Sequence, residues 1–268
     1  MGFLASARVP RFLLRPAIVA YCKHFDVDLA EAALPISDHR RFNEFFARAL
    51  RDGARPLDAD PAAVLSPVDG RVHAAGAIEA GQVLQAKGVP YSVGELLGSD
   101  DDAREVEGGT FATLYLSPRD YHRIHWPLDA SVERVRHLPG DLWPVNDRAV
   151  AGVPRLFARN ERVALFGRTA TGGRFAFVCV GALNVGSIVL APGLASEGAR
   201  TNGWSRRRVE WTKSPPLAVR RGDELGRFEF GSAVVLLLAP GAGRLDTLET
   251  KSPVRVGRRI GTLSGAPR

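Results

Sequence analysis

Turn-forming residues interrupt this chain so often that long regular elements are excluded over most of its length. The 268 residues include 28 glycines and 18 prolines. Short apolar runs, such as those at 110–116 and 233–238, alternate with Gly, Pro and Asp, and short runs between turn signals are typical of strands. Hydrophobic residues make up 45% and charged residues 24% of the chain, which is ordinary for a folded protein. The sequence therefore predicts a globular chain with more sheet than helix.

The N-terminal part has a different pattern. Phe42, Phe45 and Phe46 recur at helical spacing, and Asp28 followed by Glu31 predicts a capped helix that ends before the next proline. We therefore predict an α+β fold. Residues 1–56 form a region of short helices, and residues 57–268 form a mostly β domain that is barrel-like or sandwich-like.

The first 25 residues hold no acidic side chain, and their cations, Arg8, Arg11, Arg15 and Lys23, are interleaved with apolar residues. The arginine spacing places these side chains on one helical face. Pro10 and Pro16 are expected to divide the segment into short pieces that lie in a membrane interface rather than cross it. The sequence predicts a membrane-associating region that binds an anionic surface peripherally. The alternative is a basic amphipathic segment that packs on its own domain. No secretory signal is expected, because no uninterrupted apolar core precedes a cleavage site.

The longest stretch without charge runs from 175 to 196 and is long enough to cross a bilayer. Asn184, Gly186, Ser187 and a Pro-Gly pair interrupt it. We therefore reject a transmembrane helix and predict two buried strands, at 175–180 and 187–190, around a turn.

Cysteine content and charge narrow the setting of the protein. Cys22 and Cys179 lie far apart in unlike surroundings, so we expect a reducing compartment and no disulfide framework. The net charge of +7 does not by itself distinguish nucleic acid from anionic lipid as a partner. The sequence contains no GxSxG elbow, no phosphate-binding GxxxxGK[ST] loop and no HExxH, so the usual signatures of several hydrolase and nucleotide-binding classes are absent.

Three segments place a reactive side chain beside turn-forming residues. Asp69 precedes a glycine. His122 and His125 stand three residues apart between two prolines. Ser232 follows Gly231 where two strand-like pieces meet. Each has an ordinary structural alternative: a turn aspartate, a packed histidine, a Gly-Ser turn. No metal site is predicted, because the prolines leave little room for a helix and no cysteine or third histidine lies nearby.

Together the segments supply an acid, a base and a nucleophile, namely Asp69, His125 and Ser232. Such a set recurs on unrelated folds and is defined by geometry rather than by chain position. Histidine suits acid–base work near neutral pH because its ordinary pKa is about 6.5. Glycine permits backbone angles that other residues resist, so a strained Gly231 carbonyl beside the serine hydroxyl is one hypothesis.

In combination these segments resemble the bacterial phosphatidylserine decarboxylases, pyruvoyl-dependent enzymes of the inner membrane surface. The likeness extends from about Val19 to about Thr262. The matching stretches are residues 41–56, 66–70, 84–88, 117–125, 139–142, 156–162 and 226–232. Their order and total length make the resemblance specific.

The resemblance implies a proenzyme that cuts itself between Gly231 and Ser232. In this family His125, oriented by Asp69, would take the proton of Ser232, whose oxygen attacks the Gly231 carbonyl. Ser232 would end as the pyruvoyl group that serves as electron sink when phosphatidylserine loses carbon dioxide and becomes phosphatidylethanolamine. His122 would be the proton donor or would position the carboxylate. No external cofactor and no metal is implied.

The resemblance also implies the partners and the location. These are phosphatidylserine, an anionic membrane surface at the cytoplasmic face, and an α and a β chain from one proenzyme. A homodimer stays open, and nucleic acid is not expected.

One residue departs from the family pattern, which usually reads Leu-Gly-Ser-Thr at the cut. This chain has Ala233 after the serine, and the missing hydroxyl is expected to slow self-cleavage without abolishing it. Two alternatives stay open at this point: a serine hydrolase that uses the same three residues without consuming Ser232, and a lipid-binding scaffold that has lost activity through Ala233.

Overall fold

A computed structural model describes residues 9–85, 89–182, 188–195, 207–229 and 231–265. Within these ranges the α-helices are α1 (Arg11–Phe25), α2 (Phe42–Phe46), α3 (Val93–Leu97), α4 (Asp100–Val106), α5 (Asp147–Gly152) and α6 (Leu156–Arg159), and a 3-10 turn covers Ile36–Asp38. The strands of the first half are β1 (Ala63–Leu65), β2 (Gly70–Ala77), β3 (Gln82–Leu84), β4 (Pro90–Ser92), β5 (Thr110–Leu116), β6 (Arg123–His125) and β7 (Ala130–Leu138). Those of the second half are β8 (Arg162–Thr169), β9 (Arg174–Val180), β10 (Ile188–Leu190), β11 (Val209–Val219), β12 (Glu224–Phe228), β13 (Ser232–Leu238), β14 (Gly243–Leu245), β15 (Pro253–Val254) and β16 (Arg259–Leu263).

An eight-stranded sheet organises the described part of the chain, in the order β11-β7-β8-β9-β13-β5-β2-β15. Its neighbouring strands are antiparallel. β13 lies between β9 and β5, and all seven of its residues are buried. A continuous apolar run is what a strand covered on both faces requires. The run that begins at Ser232 is therefore the centre of the fold.

Three smaller sheets surround the large one, with the orders β1-β16-β14, β10-β12-β6 and β3-β4. In the second of these, β12 pairs with β6 and brings Glu224 opposite His125. The α+β fold with a mostly β main part is confirmed. The sheets do not close into a barrel, so of the two expected layouts the barrel is wrong. The proposed division at residues 56 and 57 stays a prediction.

The N-terminal helix differs from its prediction. α1 is one helix that continues through Pro16, with Leu14 and Ile18 buried beside Phe45. Proline removes the hydrogen bond to the carbonyl four residues earlier, which belongs to Phe12. Both Pro16 and Phe12 lie on the exposed side of α1, where water can bind that carbonyl. The expected break at Pro16 is therefore wrong, because the missing bond faces solvent.

The capped helix predicted after Asp28 is also wrong. Asp28 accepts a hydrogen bond from the amide of Ala30 at 2.7 Å, which makes a turn, and Ala32 then forms a bridge with Leu50. Glu31, the expected capping partner, instead pairs with arginines from elsewhere in the chain. Long-range ion pairs have replaced the local cap.

The long uncharged stretch forms the two expected strands, β9 and β10, in its described part. Asn184, Gly186 and Ser187, on which the prediction of a turn depended, lie outside the described residues. Among the residues that the structure describes, no helix is both long and apolar enough to cross a membrane.

The central position of β13 predicts a large cost for a cavity there. Leu236 is fully buried and pairs with Ala112 of β5 and Phe177 of β9. We expect Leu236→Ala to lower the free energy of unfolding by about 2 to 5 kcal/mol. Leu84→Ala, at a half-exposed position in the small β3-β4 sheet, serves as control and should cost about 1 kcal/mol or less. Urea denaturation followed by fluorescence would measure both, and equal losses would contradict the central role of β13.

Candidate active site

The Gly231-Ser232 junction lies at the start of the central strand β13. β12 ends at Phe228, and β13 begins at Ser232, which pairs with Leu116 of β5. Ser232 is fully buried, and its Oγ has no hydrogen-bond partner in the described part of the chain. A Cβ added at Gly231 would meet only the Leu116 carbonyl oxygen, at 4.0 Å. Strain at Gly231 stays a prediction, because the preceding Phe230 lies outside the described residues.

His125 ends β6 and is held by two hydrogen bonds. Its Nδ1 lies 2.7 Å from the carbonyl oxygen of Gly222. Because a carbonyl only accepts, Nδ1 carries the proton, and Nε2 accepts a bond from the Tyr121 hydroxyl at 3.1 Å. Burial lowers the pKa of His125, and this effect exceeds the opposing influence of the Gly222 carbonyl and of nearby carboxylates, including Asp69. His125 is therefore a neutral base with its free electron pair on Nε2.

Asp69 is bound by an arginine rather than by the histidine. Arg55 Nε donates to Oδ1 at 3.0 Å, and Nη2 donates to Oδ2 at 2.5 Å. The backbone amide of Val256 donates to Oδ1 at 2.9 Å. The guanidinium of Arg55 also lies 6.0 Å from the ring centre of Tyr121. Asp69 thus acts on His125 through its charge, not through a hydrogen bond.

His122 is fully buried, and its two ring nitrogens differ. Nδ1 donates to the carbonyl oxygen of Asp120 at 2.8 Å, whereas Nε2 has no partner among the described residues. The ring packs against Phe46, with 4.0 Å between centroids. Burial is the main cause that lowers the pKa of His122 to about 3. At neutral pH this histidine is uncharged and offers Nε2 as a proton acceptor.

The turn that carries His122 and leads into β6 is fixed by Asp120. Its Oδ2 accepts hydrogen bonds from the amide and the hydroxyl of Ser117, each at 2.6 Å. Burial is the first cause of a raised pKa at Asp120, although these bonds oppose the shift. The tight turn between β5 and β6 holds its place by these contacts, which in turn set the position of His122.

A cleft of about 680 Å³ opens beside Asp69 and Tyr121. Both signs of charge line it: the arginines at 48, 55, 119, 255, 258 and 259, and the acids at 26, 28, 31, 69 and 120. Ser232, His122 and His125 are not among its lining residues. We refer to it below as the arginine cleft. In the described part of the chain no group of three or more His, Cys, Asp or Glu side chains could hold a metal ion.

The structure connects some of the predicted residues and separates others. Asp69, Tyr121 and His125 are neighbours, joined through Arg55 and the tyrosine hydroxyl. Ser232 makes no hydrogen bond to either histidine, so the roles assigned to all four residues stay predictions. Sequence reasoning did not identify Arg55 or Tyr121 as site residues. Both lie inside the matching stretches at 41–56 and 117–125, which was the available signal.

Comparisons with known proteins identify the family of this chain. A family model described as phosphatidylserine decarboxylase matches residues 42–262. A relative from Azotobacter vinelandii, named phosphatidylserine decarboxylase proenzyme, is 44% identical over 98% of this chain and 92% of its own length. Proenzymes of the same name from Stutzerimonas stutzeri and from an Anaeromyxobacter species are each 42% identical over 97% of this chain, and over 88% and 92% of their own lengths. These matches confirm the resemblance found in the sequence, and the chain belongs to the phosphatidylserine decarboxylase family.

Proposed function

We propose that this chain is a self-processing enzyme that converts phosphatidylserine to phosphatidylethanolamine. Its family and the names of its relatives support the decarboxylation. The observation that carries the self-processing is the burial of Ser232 without a hydrogen-bond partner for its hydroxyl in the described residues. In the uncut chain this hydroxyl is fully buried, so an external ester or amide does not reach it; the cut, which frees the chain ends at 231 and 232, would be what opens the site to the substrate. This burial favours attack on the chain's own backbone over a serine hydrolase.

The proposed cut uses only groups of the chain. Ser232 loses its hydroxyl proton to a base, and Oγ attacks the carbonyl carbon of Gly231. The base returns the proton to the nitrogen of residue 232 as the C–N bond breaks, and an ester and a free amine form. Removal of the Cα proton of residue 232 then expels the Gly231 carboxylate and leaves dehydroalanine, which water hydrolyses to a pyruvoyl group with release of ammonia. The products are a β chain of residues 1–231 and an α chain that begins at residue 232.

His125 is our candidate for the base. It is neutral, and Nε2 is the nitrogen without a proton. The tyrosine hydroxyl that occupies Nε2 keeps this tautomer in place, and a change of partner from Tyr121 to Ser232 would start the reaction. The charge of Asp69, held by Arg55, favours the imidazolium that forms when the proton arrives.

The position of residue 232 fits a pyruvoyl group. The residue is enclosed between β5 and the end of β9, with Leu116 opposite it in register. Its Oγ makes no hydrogen bond to the described residues, so no such bond is lost when the serine is converted. A pyruvoyl group supplies a ketone that binds an amine and withdraws electrons when carbon dioxide leaves. The flanking strands would hold this group rigidly and away from bulk water.

His122 is our candidate for proton transfer in the decarboxylation. Its Nε2 is unprotonated and unpartnered, so the proton that it donates must first be taken up. The ammonium group of phosphatidylserine, which has to lose a proton before the amine can react, is a source, and the substrate's carboxylate beside the ring would favour the imidazolium that forms. With that carboxylate in place, His122 would accept a proton at Nε2 and return one after carbon dioxide has left.

We also propose that α1 attaches the protein peripherally to an anionic membrane surface at the cytoplasmic face. Phe12 is 74% exposed and Leu13 is 54% exposed, while Arg11 and Arg15 are exposed on the same helix. Apolar side chains that enter the headgroup region beside basic residues are typical of interfacial helices.

Intact-mass measurement tests the proposed processing and the separate roles of the histidines. The wild-type chain should give two fragments, and the α fragment should lack a free N-terminal amine. His125→Ala should slow the cut at least about 100-fold, because it removes the base. His122→Ala should still be cut, but its turnover of phosphatidylserine should fall about 100-fold or more.

His24→Ala serves as the matched control, since this exposed histidine of α1 lies outside the site, and it should behave like wild type. An intact chain from a preparation that decarboxylates phosphatidylserine would refute self-processing. Identical behaviour of the two site-histidine variants would refute the division of roles.

The pH dependence of the cut follows from the state of His125. The neutral form is the base, and the lowered pKa keeps that form predominant down to pH values below the ordinary value of about 6.5. The rate should therefore be constant between pH 8 and about 6.5 and should fall only in more acidic solution. Pulse-labelled chains made by cell-free translation and shifted to each pH would measure it. A rate that already halves above pH 7 would contradict a buried, neutral base.

Membrane attachment predicts a specific effect of the apolar side chains of α1. The double variant Phe12→Ser and Leu13→Ser should bind vesicles of phosphatidylserine and phosphatidylcholine at least about tenfold more weakly, because two apolar side chains that would enter the bilayer are lost. Leu84→Ser changes an exposed leucine of β3 and should bind as wild type does. Co-sedimentation with vesicles measures both, and equal binding by the α1 variant would show that the helix is not the attachment site.

A further inference from the structure

Arg48 is a buried cation that has no carboxylate partner among the residues that the structure describes. It follows α2 in sequence and is only 5% exposed. Nη2 donates to the carbonyl oxygen of Arg119 at 3.2 Å, and Nε has no hydrogen-bond partner in the described part of the chain. The guanidinium lies 5.6 Å from the ring centre of Phe45. A guanidinium carries five N–H donors, and the Nε donor of Arg48 is both buried and unpaired among the described residues.

Other buried arginines of this chain are fully engaged. Arg136 pairs with Asp102 and Glu210, and Arg162 donates to three backbone carbonyl groups. Within the described residues Arg48 has no carboxylate within ion-pair distance. Burying a charge without compensation costs several kcal/mol in general. Arg48 therefore differs from the structural arginines, and an anion from outside the chain would complete its environment.

The acids near Arg48 are already bound elsewhere. Asp69 is held by Arg55 and by a backbone amide, and Asp120 accepts two bonds from Ser117. Glu31 pairs with Arg55 and with Arg255. Three of the acids that line the arginine cleft together with Arg48, at 31, 69 and 120, are therefore engaged by other groups. Burial holds the pKa of Arg48 below its ordinary value, as expected for a buried cation that has no anion within ion-pair distance.

The surroundings of Arg48 indicate which anion it would bind. Phe46, two residues before Arg48, packs on His122, and the Ala47 carbonyl accepts a bond from Arg123 at 3.1 Å. Tyr21 of α1 packs against Phe45, over whose ring the guanidinium lies, and donates to the Pro118 carbonyl at 2.7 Å in the turn before His122. Arg48 thus lies close both to the C-terminal half of α1 and to the turn that carries His122.

A phospholipid carries its anionic phosphodiester between its apolar part and its headgroup. The acyl chains and glycerol come first, the phosphodiester follows, and the amino-acid headgroup is last. A lipid with its chains beside α1 and its amine near His122 would have its phosphodiester at the level of Arg48. A planar guanidinium with free donors is suited to phosphate oxygens.

We propose that Arg48 binds the phosphodiester of the phospholipid substrate and so sets the distance from the membrane to the reacting amine. This inference rests on the proposed function and deepens it, because it names the residue that recognises the phosphate. The carboxylate of the substrate, the other anion present, would lie beyond Arg48 on the side of His122.

The experiment compares two lipids that differ in the phosphate. Phosphatidylserine contains it, whereas O-hexadecyl-L-serine has the same amine and carboxylate on an alkyl chain without it. Arg48→Met should raise KM for phosphatidylserine in mixed micelles at least about tenfold and change kcat less than about threefold. The reason is that the lost charged contact is made equally in the bound substrate and in the transition state. The inhibition constant of O-hexadecyl-L-serine should change less than about twofold.

Arg51→Met is the matched control. Arg51 is an exposed arginine three residues further along and is not part of the arginine cleft, so neither constant should change. If Arg48→Met weakens both lipids equally, Arg48 binds the carboxylate and the assignment is wrong. If KM for phosphatidylserine is unchanged, Arg48 binds no part of the substrate and the assignment is also wrong.

A second measurement applies if Arg48→Met is not cut. Calorimetry would compare the binding of glycerophosphoserine by uncut Ser232→Ala with its binding by the double variant that adds Arg48→Met. The double variant should bind at least about tenfold more weakly, and equal affinities or no binding by either protein would overturn the assignment. A wild-type chain that is cut but does not decarboxylate phosphatidylserine would instead refute the proposed function, and the calorimetric comparison would still decide the role of Arg48.

Discussion

The pairing of β13 with both β5 and β9 is the constraint on which the rest of this structure depends. Seven consecutive buried residues leave the strand no exposed face, and their backbone groups are satisfied by the two neighbouring strands. Ser232 is the first of the seven, so the candidate nucleophile is fixed by the sheet itself and not by a loop. Its neighbour Gly231 belongs to the short connection from β12, the strand that also aligns His125. β12 therefore connects the Gly231-Ser232 junction to the strand that carries His125.

The groups around the candidate site are mostly neutral or paired. Burial lowers the pKa of both histidines, Asp69 is matched by Arg55, and Glu224, opposite His125, pairs with Arg123. Arg48 is a buried cation without a carboxylate partner in the described residues, and it lines the arginine cleft. Under the proposed function, protons would move among the neutral groups, and the charged headgroup would be recognised in the cleft.

Local patterns in the sequence predicted what local physics controls. The apolar runs at 110–116 and 233–238 became β5 and β13, because a run of that length between turns has few other solutions. The junction before Ser232 was predicted for the same reason. The capping prediction failed because of partners distant in the chain, since Glu31 pairs with Arg55 and Arg255. The hydrogen bonds from Arg55 to Asp69 were likewise not predicted. Periodicity and capping rules contain no information about which side chains meet across the fold.

The position of β13 in the sheet has a consequence for the assembly of the mature enzyme. Under the proposed cut, the fragment from residue 232 onward contributes β13 to β16, including the middle of the largest sheet. The uncut chain folds as one molecule, whereas the two mature fragments, once separated, would have to find each other again. Assembly of the mature enzyme then becomes a second-order process that dilution slows. Maturation would be irreversible. The chain would have to fold before it is cut, because the cut separates the central strand β13 from the rest of its sheet.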